Sequence, residues 1–80
     1  RSARIATAHS VRRQGAASQM FRKLLDFCRE QKITRIMLEV RENNEAARQF
    51  YGKCGFTKDG IRRNYYENPK ENAVLMSVNL

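Results

Sequence analysis

The sequence has few of the residues that build covalent cross-links and metal centres. Its 80 residues include two cysteines, one histidine, one proline and no tryptophan. Cys28 and Cys54 both fall within predicted helices, which favours reduced thiols in a cytoplasmic protein over a disulfide framework. His9 has no second histidine and no nearby cysteine, so we expect an exposed loop side chain and no metal site.

Long apolar runs are missing as well. No stretch approaches the roughly 20 residues that a membrane-spanning helix needs, so we expect no membrane partner. Residues 1–4 do not have the apolar core of a signal peptide. A chain of 80 residues forms at most one small domain with a modest core. Because the first residue is Arg1 rather than methionine, we expect a fragment or a trimmed chain.

Acidic residues are scarce relative to basic ones. Eight Asp and Glu residues oppose 16 Lys and Arg residues, which gives a formal net charge of +8. This charge favours polyanionic partners such as nucleic acid, the ribosome, an acidic membrane or a polyphosphate cofactor, without choosing among them. The charges are spread along the chain rather than held in a tail, which argues against a disordered basic arm.

The apolar pattern predicts an α/β chain with the element order β-α-β-α-β-β. Ala17, Met20, Phe21, Leu24, Leu25 and Cys28 recur at helical spacing and predict one apolar face of a long helix, which we interpret as core. The predicted segments are strand 3–8, helix 17–32, strand 33–40, a short helix capped at 43–44 and ended by Gly55, strand 56–66 and strand 73–80. A right-handed crossover makes the first two strands parallel, and the last two are expected to pair as an antiparallel hairpin.

A basic loop of small residues lies between the first strand and the first helix. It runs through Arg12, Arg13, Gln14, Gly15, Ala16, Ala17 and Ser18. The first turn of a helix has free backbone N–H groups and a partial positive charge, so a phosphate could bind directly to this backbone. The alternative is a solvated loop whose arginines have no ligand.

Two side chains in the apolar segments carry possible chemistry. Glu39 interrupts the dense apolar run at 33–40, where a buried carboxylate is costly unless it is paired or functional. It either faces solvent or pairs with Arg35 or Arg41, or it acts as a general base. Tyr51 is either a core aromatic with its hydroxyl at the rim or a proton donor.

The element order and the residues at the connections between strands and helices resemble those of the GNAT superfamily of acetyl-CoA-dependent N-acetyltransferases. The family's cofactor motif is similar to residues 12–17, and a more specific block matches Leu38-Glu39-Val40-Arg41, Asn44, Ala46-Ala47, Tyr51 and Gly55-Phe56. A third block matches Ile61-Arg62-Arg63-Asn64-Tyr65-Tyr66. The combination is similar to the RimI-type enzymes, which acetylate the N-terminal α-amine of a ribosomal protein. The resemblance implies the C-terminal half of a GNAT-like mixed sheet flanked by helices.

The resemblance also implies a site for acetyl-CoA as co-substrate, with no metal. Backbone groups of the first strand would line the pantetheine arm, the loop amides would hold the pyrophosphate, and the cap of the second helix would contact the cofactor arm. The residues implied are Ile5, Ala6, Thr7, Arg12, Arg13, Gln14, Gly15, Ala16, Ala17, Ser18 and Asn44.

The resemblance assigns the chemistry to two residues and the acceptor groove to four. Glu39 is implied to be the general base that takes a proton from the acceptor amine, and Tyr51 the general acid that protonates the departing thiolate. The acceptor is expected to be a peptide or protein N-terminus, with a lysine side chain and a small polyamine left open as alternatives. Its groove is implied to contain Arg62, Asn64, Tyr65 and Tyr66.

Family domains are nearly twice this length, and their N-terminal half has no counterpart here. We therefore expect the chain to be completed by self-association or by a complementing half. An alternative is a basic ribosome-binding, RNA-binding or oligomerisation module without catalysis. The sequence has no zinc pattern and no basic sheet motif with interleaved aromatic residues, so we expect no specific nucleic-acid partner.

Overall fold

The computed structural model describes residues 1–5 and 14–80. Its elements are β1 (Ser2–Ile5), α1 (Gln14–Glu30), β2 (Arg35–Arg41), α2 (Glu45–Lys53), β3 (Thr57–Tyr66) and β4 (Glu71–Asn79). This confirms the predicted order and the α/β class. The predictions for Ala6, Thr7, His9, Arg12 and Arg13 lie outside the described residues.

Several predicted boundaries were wrong. The first helix begins at Gln14 and ends at Glu30, so it starts three residues before the apolar repeat. The last strand begins at Glu71, because pairing of Glu71 with Tyr66 extends the hairpin into the predicted turn. Cys54 is the C-cap residue of α2 rather than part of the helix, since Gly55 ends the helix there with a φ of 100°.

The four described strands form one mixed sheet in the order β1-β2-β4-β3. The β1–β2 pair is parallel, with Ile5 opposite Leu38, and β4 is antiparallel to both of its neighbours. The predicted parallel crossover and antiparallel hairpin are thus both confirmed. The chain's last strand lies between β2 and β3, so β2 becomes an inner strand of the sheet.

Both helices pack on one face of this sheet. Alternate residues of β2 point to that face, and Ile36, Leu38 and Val40 are each no more than 2% exposed. Phe21 of α1 contacts the rings of Phe50 at 6.4 Å and Phe56 at 5.6 Å between centroids. Aromatic pairs at such distances contribute beyond their buried area, so this cluster joins the helices to the sheet.

The core prediction for α1 is confirmed in part. Phe21 and Cys28 are buried as the helical spacing predicts. Met20 is 71% exposed, so its place in the core stripe was wrong. The physical reason is that Met20 lies on the rim of a cavity rather than over the sheet.

The other face of the sheet carries charged side chains joined in pairs. Arg35 lies 3.6 Å from the Asp59 carboxylate and also donates a hydrogen bond to the Ser77 hydroxyl at 3.2 Å. Arg41 lies 3.1 Å from the Glu71 carboxylate. Within residues 1–5 and 14–80, both helices lie on the opposite side, so these pairs form the surface here.

Candidate functional site

Glu39 is a buried carboxylate on the face of the sheet opposite the helices. Its neighbours Leu38 and Val40 point into the helix-covered core, and strand alternation directs Glu39 the other way. Glu39 is 9% exposed, and its Oε1 lies 3.3 Å from Nη1 of Arg4 on β1. The predicted solvent-facing carboxylate was wrong, because Glu39 is mostly buried. Its ion pair is with Arg4, whereas Arg35 pairs with Asp59 and Arg41 with Glu71.

Arg41 connects β2 to the turn between β3 and β4. Its guanidinium donates to the Glu71 carboxylate and to the backbone carbonyls of Glu67 and Pro69. It also lies over the Tyr66 ring at 4.4 Å. The Asn43 N–H donates to Glu71 at 2.6 Å, and this bond, with the Arg41 bond, lowers the pKa of the Glu71 carboxyl. The turn is therefore held against β2 by charge-assisted hydrogen bonds.

The predicted acceptor residues lie around this turn. Burial raises the pKa of the Tyr66 phenol, and nearby Glu39 and Tyr65 raise it further while Arg41 lowers it. Tyr66 is therefore within electrostatic reach of Glu39. The Tyr65 ring lies 5.0 Å from that of Tyr66, and the Arg62 guanidinium lies 5.3 Å from the Tyr65 centroid.

Asn64 shapes the same hairpin through its backbone. It has a positive φ of 53° and its N–H donates to Oδ1 of Asn72 at 2.9 Å. This conformation coincides with the register shift of β3 between Arg62 and Tyr66. The bulge changes the direction in which the following side chains point, which sequence spacing does not reveal.

Tyr51 lies on the helix side of the sheet. Its ring contacts Phe21, Phe50 and Phe56 at centroid distances of 6.5, 5.3 and 5.4 Å. Burial raises the pKa of its phenol, and nearby Cys54 raises it further, so the hydroxyl keeps its proton at neutral pH. Both interpretations of Tyr51 remain compatible with this position, a packed ring with an oxygen able to donate.

A cavity of about 370 Å³ opens between β1, α1 and α2. Its wall is almost entirely apolar, with the Tyr51 side chain as its polar member. The lining residues are Ile5, Ala17, Met20, Phe21, Leu24, Phe50 and Tyr51. The apolar face of α1 thus lines a cavity at its beginning and forms core further along.

The first turn of α1 suits an anion. It carries no acidic side chain, so the positive end of the helix dipole is not compensated locally. A Cβ placed at Gly15 would meet no described atom within 4 Å. The half-buried Ser18 and Ala17 follow on the next positions of the helix.

Asn44 has a structural task that the sequence predicted. Its Oδ1 accepts a hydrogen bond from the Ala47 N–H at 3.1 Å and caps α2. The amide NH₂ group is the hydrogen-bond donor that Asn44 has to offer a cofactor.

The structure brings Glu39, Tyr66 and the β3–β4 turn together on one face, while Tyr51 and the cavity lie on the other. Sequence reasoning missed Arg4 as the partner of Glu39 and missed Met20 and Leu24 as cavity residues. The parallel register, which pairs Arg4 with Met37, determines that Arg4 can reach Glu39 diagonally. Nothing in the sequence fixes that register.

The described residues form neither a metal-binding group nor a membrane-spanning helix. In the described ranges, no three His, Cys, Asp or Glu side chains are grouped so that they could hold a metal ion. Neither α1 nor α2 is long and apolar enough to cross a membrane.

The mixed α/β sheet with its two helices matches solved structures of acetyltransferases. The sequence profile of the acetyltransferase (GNAT) family matches residues 3–56, and the chain belongs to this family. Members of the family use acetyl-CoA. An acetyltransferase from Bacillus anthracis str. Ames, 28% identical with a TM-score of 0.76 over 88% of this chain and 42% of that one, was solved in complex with acetyl coenzyme A.

Two further proteins are more than 30% identical to this chain. The chain is 37% identical over 70 residues to the ribosomal protein bS18-alanine N-acetyltransferase of Haemophilus ducreyi, covering 84% of this chain and 48% of the relative. Ard1 from Thermoplasma volcanium is 35% identical, with a TM-score of 0.86 over 99% of this chain and 55% of that structure. The chain therefore spans about half the length of the proteins it resembles.

Proposed function

We propose that the chain is the cofactor-binding and catalytic half of an N-acetyltransferase that moves the acetyl group of acetyl-CoA to a protein N-terminal α-amine. The observation that carries this is the position of Glu39 one residue beyond Leu38, whose partner Ile5 is the last described residue of β1 and also lines the cavity that contains Tyr51. An amine and a thioester that meet at this end of β1 would each lie beside one proton-transferring group.

The residues present fit the cofactor. The apolar cavity beside Ile5 and Tyr51 suits a pantetheine arm, with backbone groups of Ile5, Ala6 and Thr7 as its hydrogen-bonding partners. The uncompensated start of α1 suits the pyrophosphate, held by the backbone of residues 12–18 with Arg12 and Arg13 adding charge. The Asn44 amide NH₂ would donate to the arm from the cap of α2.

The chemistry assigned to this chain consists of two proton transfers. Acetyl-CoA supplies the activated acetyl group as a thioester. The nitrogen lone pair of the acceptor amine forms the new C–N bond as the C–S bond breaks, and the Glu39 carboxylate accepts the proton that this nitrogen loses. The Tyr51 hydroxyl donates its proton to the leaving sulfur. Holding the two reactants in one geometry would supply much of the rate.

The acceptor is assigned to the face that carries Glu39. Arg62, Asn64, Tyr65 and Tyr66 would border the peptide, because the β3–β4 turn places Tyr66 within electrostatic reach of Glu39. Polar side chains of this kind can hydrogen-bond to a peptide backbone, and aromatic rings can pack against it. The name of the Haemophilus ducreyi relative supports a ribosomal protein N-terminus as the acceptor class.

A second polypeptide segment would complete this face. Arg4, Arg35 and Arg41 present paired charges there, with both helices on the other side, and β1 is an edge of the described sheet. We propose that a complementing N-terminal half, or a second copy of the chain, adds strands at β1 and covers this face.

The experiment is mass spectrometry of an N-terminal peptide of a bS18-type protein incubated with acetyl-CoA and the chain. One arm uses the chain alone and the other adds the N-terminal half of the Haemophilus ducreyi relative. A mass increase of one acetyl group on the α-amine, lost in Glu39→Gln, is expected in the second arm. Activity that Glu39→Gln leaves intact would refute the base assignment.

Calorimetry with acetyl-CoA separates binding from turnover. Gly15→Glu places a negative side chain at the start of α1 and is expected to abolish binding. Gly52→Ala, a change on α2 with open space around it, is the matched control and should leave binding intact. Binding of acetyl-CoA without acetylation of the peptide, with or without the added N-terminal half, would support the cofactor site and refute catalysis by this chain.

A further inference from the structure

A second cavity, of about 310 Å³, lies beside α2. It is bounded by α2, β3 and β4 and shares no lining residue with the cavity beside Tyr51. Its lining residues are Glu45, Arg48, Gln49, Lys58, Val74 and Met76. The proposed acetyl transfer uses none of them.

Arg48 is the unusual member of this lining. Its Nε is buried and has no hydrogen-bond partner in the described part of the chain. A buried charged donor left without a partner costs free energy, and native structures nearly always satisfy such groups. Neither Arg48 nor Lys58 forms an ion pair with another residue in the described ranges. The cavity therefore has a hydrogen-bond donor and a positive charge to offer.

The composition of the lining selects the ligand. Arg48 and Lys58 contribute two positive charges and Glu45 one negative charge, so the charge excess matches a monoanion rather than a dianionic phosphate. Val74 and Met76 of β4 are buried at 3% and 6% exposure and form an apolar floor. A carboxylate on a short aliphatic stem satisfies both features, because the guanidinium edge binds a carboxylate through two parallel N–H groups.

We propose that this cavity is a binding site for an aliphatic carboxylate, with Arg48 as the residue that binds its oxygens and Lys58 as the second cation. Gln49 and Lys58 are exposed members of the lining, so their side chains can move as a ligand enters. The ligand is either a free short-chain acid or an acidic side chain of a partner protein, since both present the same group.

The test is a titration of the ¹⁵N-labelled chain with butyrate, followed through the Arg48 Nε–Hε signal in two-dimensional NMR. Butyrate should move this signal saturably, and uncharged butyramide should not. Arg48→Leu should weaken binding by about tenfold or more, the usual effect of losing a charge-assisted hydrogen bond. Arg22→Leu, an exposed arginine on α1, is the matched control and should bind like the unmodified chain.

Two surface variants test the same site if Arg48→Leu does not fold. Lys58→Gln should weaken butyrate binding, and Glu45→Gln should strengthen it, because each changes one charge of the exposed rim. A titration with a glutamate-containing peptide then distinguishes a partner's side chain from a free acid. No saturable shift, an equal shift with butyramide, or an equal loss in Arg22→Leu would overturn the proposal.

Discussion

The guanidinium of Arg4 lies 3.3 Å from the carboxylate of Glu39, across the only parallel strand pair of the described sheet. Arg4 is opposite Met37 in the register, so it reaches two residues along β2 to meet Glu39. The Arg4 side chain is 58% exposed and that of Glu39 only 10%. The pair joins an exposed cation to a carboxylate that the sheet has mostly removed from water.

This relationship predicts a measurable coupling between the two residues. In a double-mutant cycle of Arg4→Gln and Glu39→Gln, urea unfolding should give a coupling of about 0.5–1 kcal/mol, since partial exposure screens the pair. The coupling should decrease with added salt. The exposed Arg29–Asp26 pair on α1, at 3.9 Å, is the control and should show a coupling near zero. Equal coupling in both pairs would contradict the burial argument.

Asn44 should separate into a stabilising role and a binding role. Asn44→Ala removes the cap of α2 and should lower the free energy of unfolding by about 1 kcal/mol. Asn44→Asp keeps an oxygen that accepts from the Ala47 N–H but loses the amide NH₂ donors. It should therefore keep stability in urea and lose affinity for acetyl-CoA by calorimetry. If Asn44→Asp binds acetyl-CoA like the unmodified chain, the NH₂ group does not contact the cofactor.

Gly55 and Gly52 should respond in opposite directions to alanine. Gly55 has a φ of 100°, and its added Cβ would lie 3.6 Å from Cγ2 of Val78, an ordinary contact. The cost of Gly55→Ala is therefore conformational, about 1 kcal/mol of unfolding free energy. Gly52 lies within α2 and has open space around it, so Gly52→Ala should stabilise the chain by about 0.5–1 kcal/mol. Thermal unfolding of the two variants measures both effects.

Glu71 should make stability depend on pH in the acidic range. Its carboxyl has a lowered pKa in the folded chain because it accepts from the Asn43 N–H and from Arg41. The unfolded chain then binds this proton at a higher pH than the folded chain does, so acidification favours unfolding. The stabilisation is present above the ordinary glutamate pKa of about 4.3 and is lost as pH falls through the lowered value. In Glu71→Gln, the midpoint temperature of thermal unfolding should depend less steeply on pH in this range. An unchanged slope would show that other carboxyls dominate.

Tyr51→Phe should separate packing from proton donation. The ring contacts with Phe21, Phe50 and Phe56 are kept, so unfolding should change little. If the phenol protonates the leaving sulfur, the rate in the complemented acetylation assay should fall by about 10²-fold with acetyl-CoA affinity unchanged. Cys54→Ala removes the neighbouring thiol and keeps the phenol, so it is the matched control. Full activity of Tyr51→Phe would assign the ring a structural role alone.

Much of the fold could be predicted because local signals agree with the global arrangement. The helical spacing of Phe21 and Cys28, the cap at Asn44 and the stop at Gly55 each depend on nearby residues, and each was confirmed. Met20 follows the same spacing yet is exposed, because the pattern defines a helix face without defining what covers it. Extension of β4 to Glu71 depends on pairing with Tyr66 across the hairpin.

The site was less accessible to sequence reasoning. Glu39 and Tyr51 could be singled out by residue type and resemblance, and their roles stay predictions. Their placement on opposite faces follows from strand alternation once β2 is known. The Arg4 partner depends on the parallel register, and the direction of the Tyr66 ring depends on the bulge after Arg62. Both are long-range properties that no local pattern encodes.

The two edges of the described sheet differ in what they permit. The outer edge of β3 carries Lys58, Arg62 and Arg63, two register shifts and the positive φ of Asn64, all features that discourage another strand from pairing there. The β1 edge has the short sequence Ser2-Ala3-Arg4-Ile5, with one basic residue and no register shift in its described pairing with β2. The proposed second segment would attach beside β1, next to Arg4 and Glu39. Its assembly with this chain would then also complete the site.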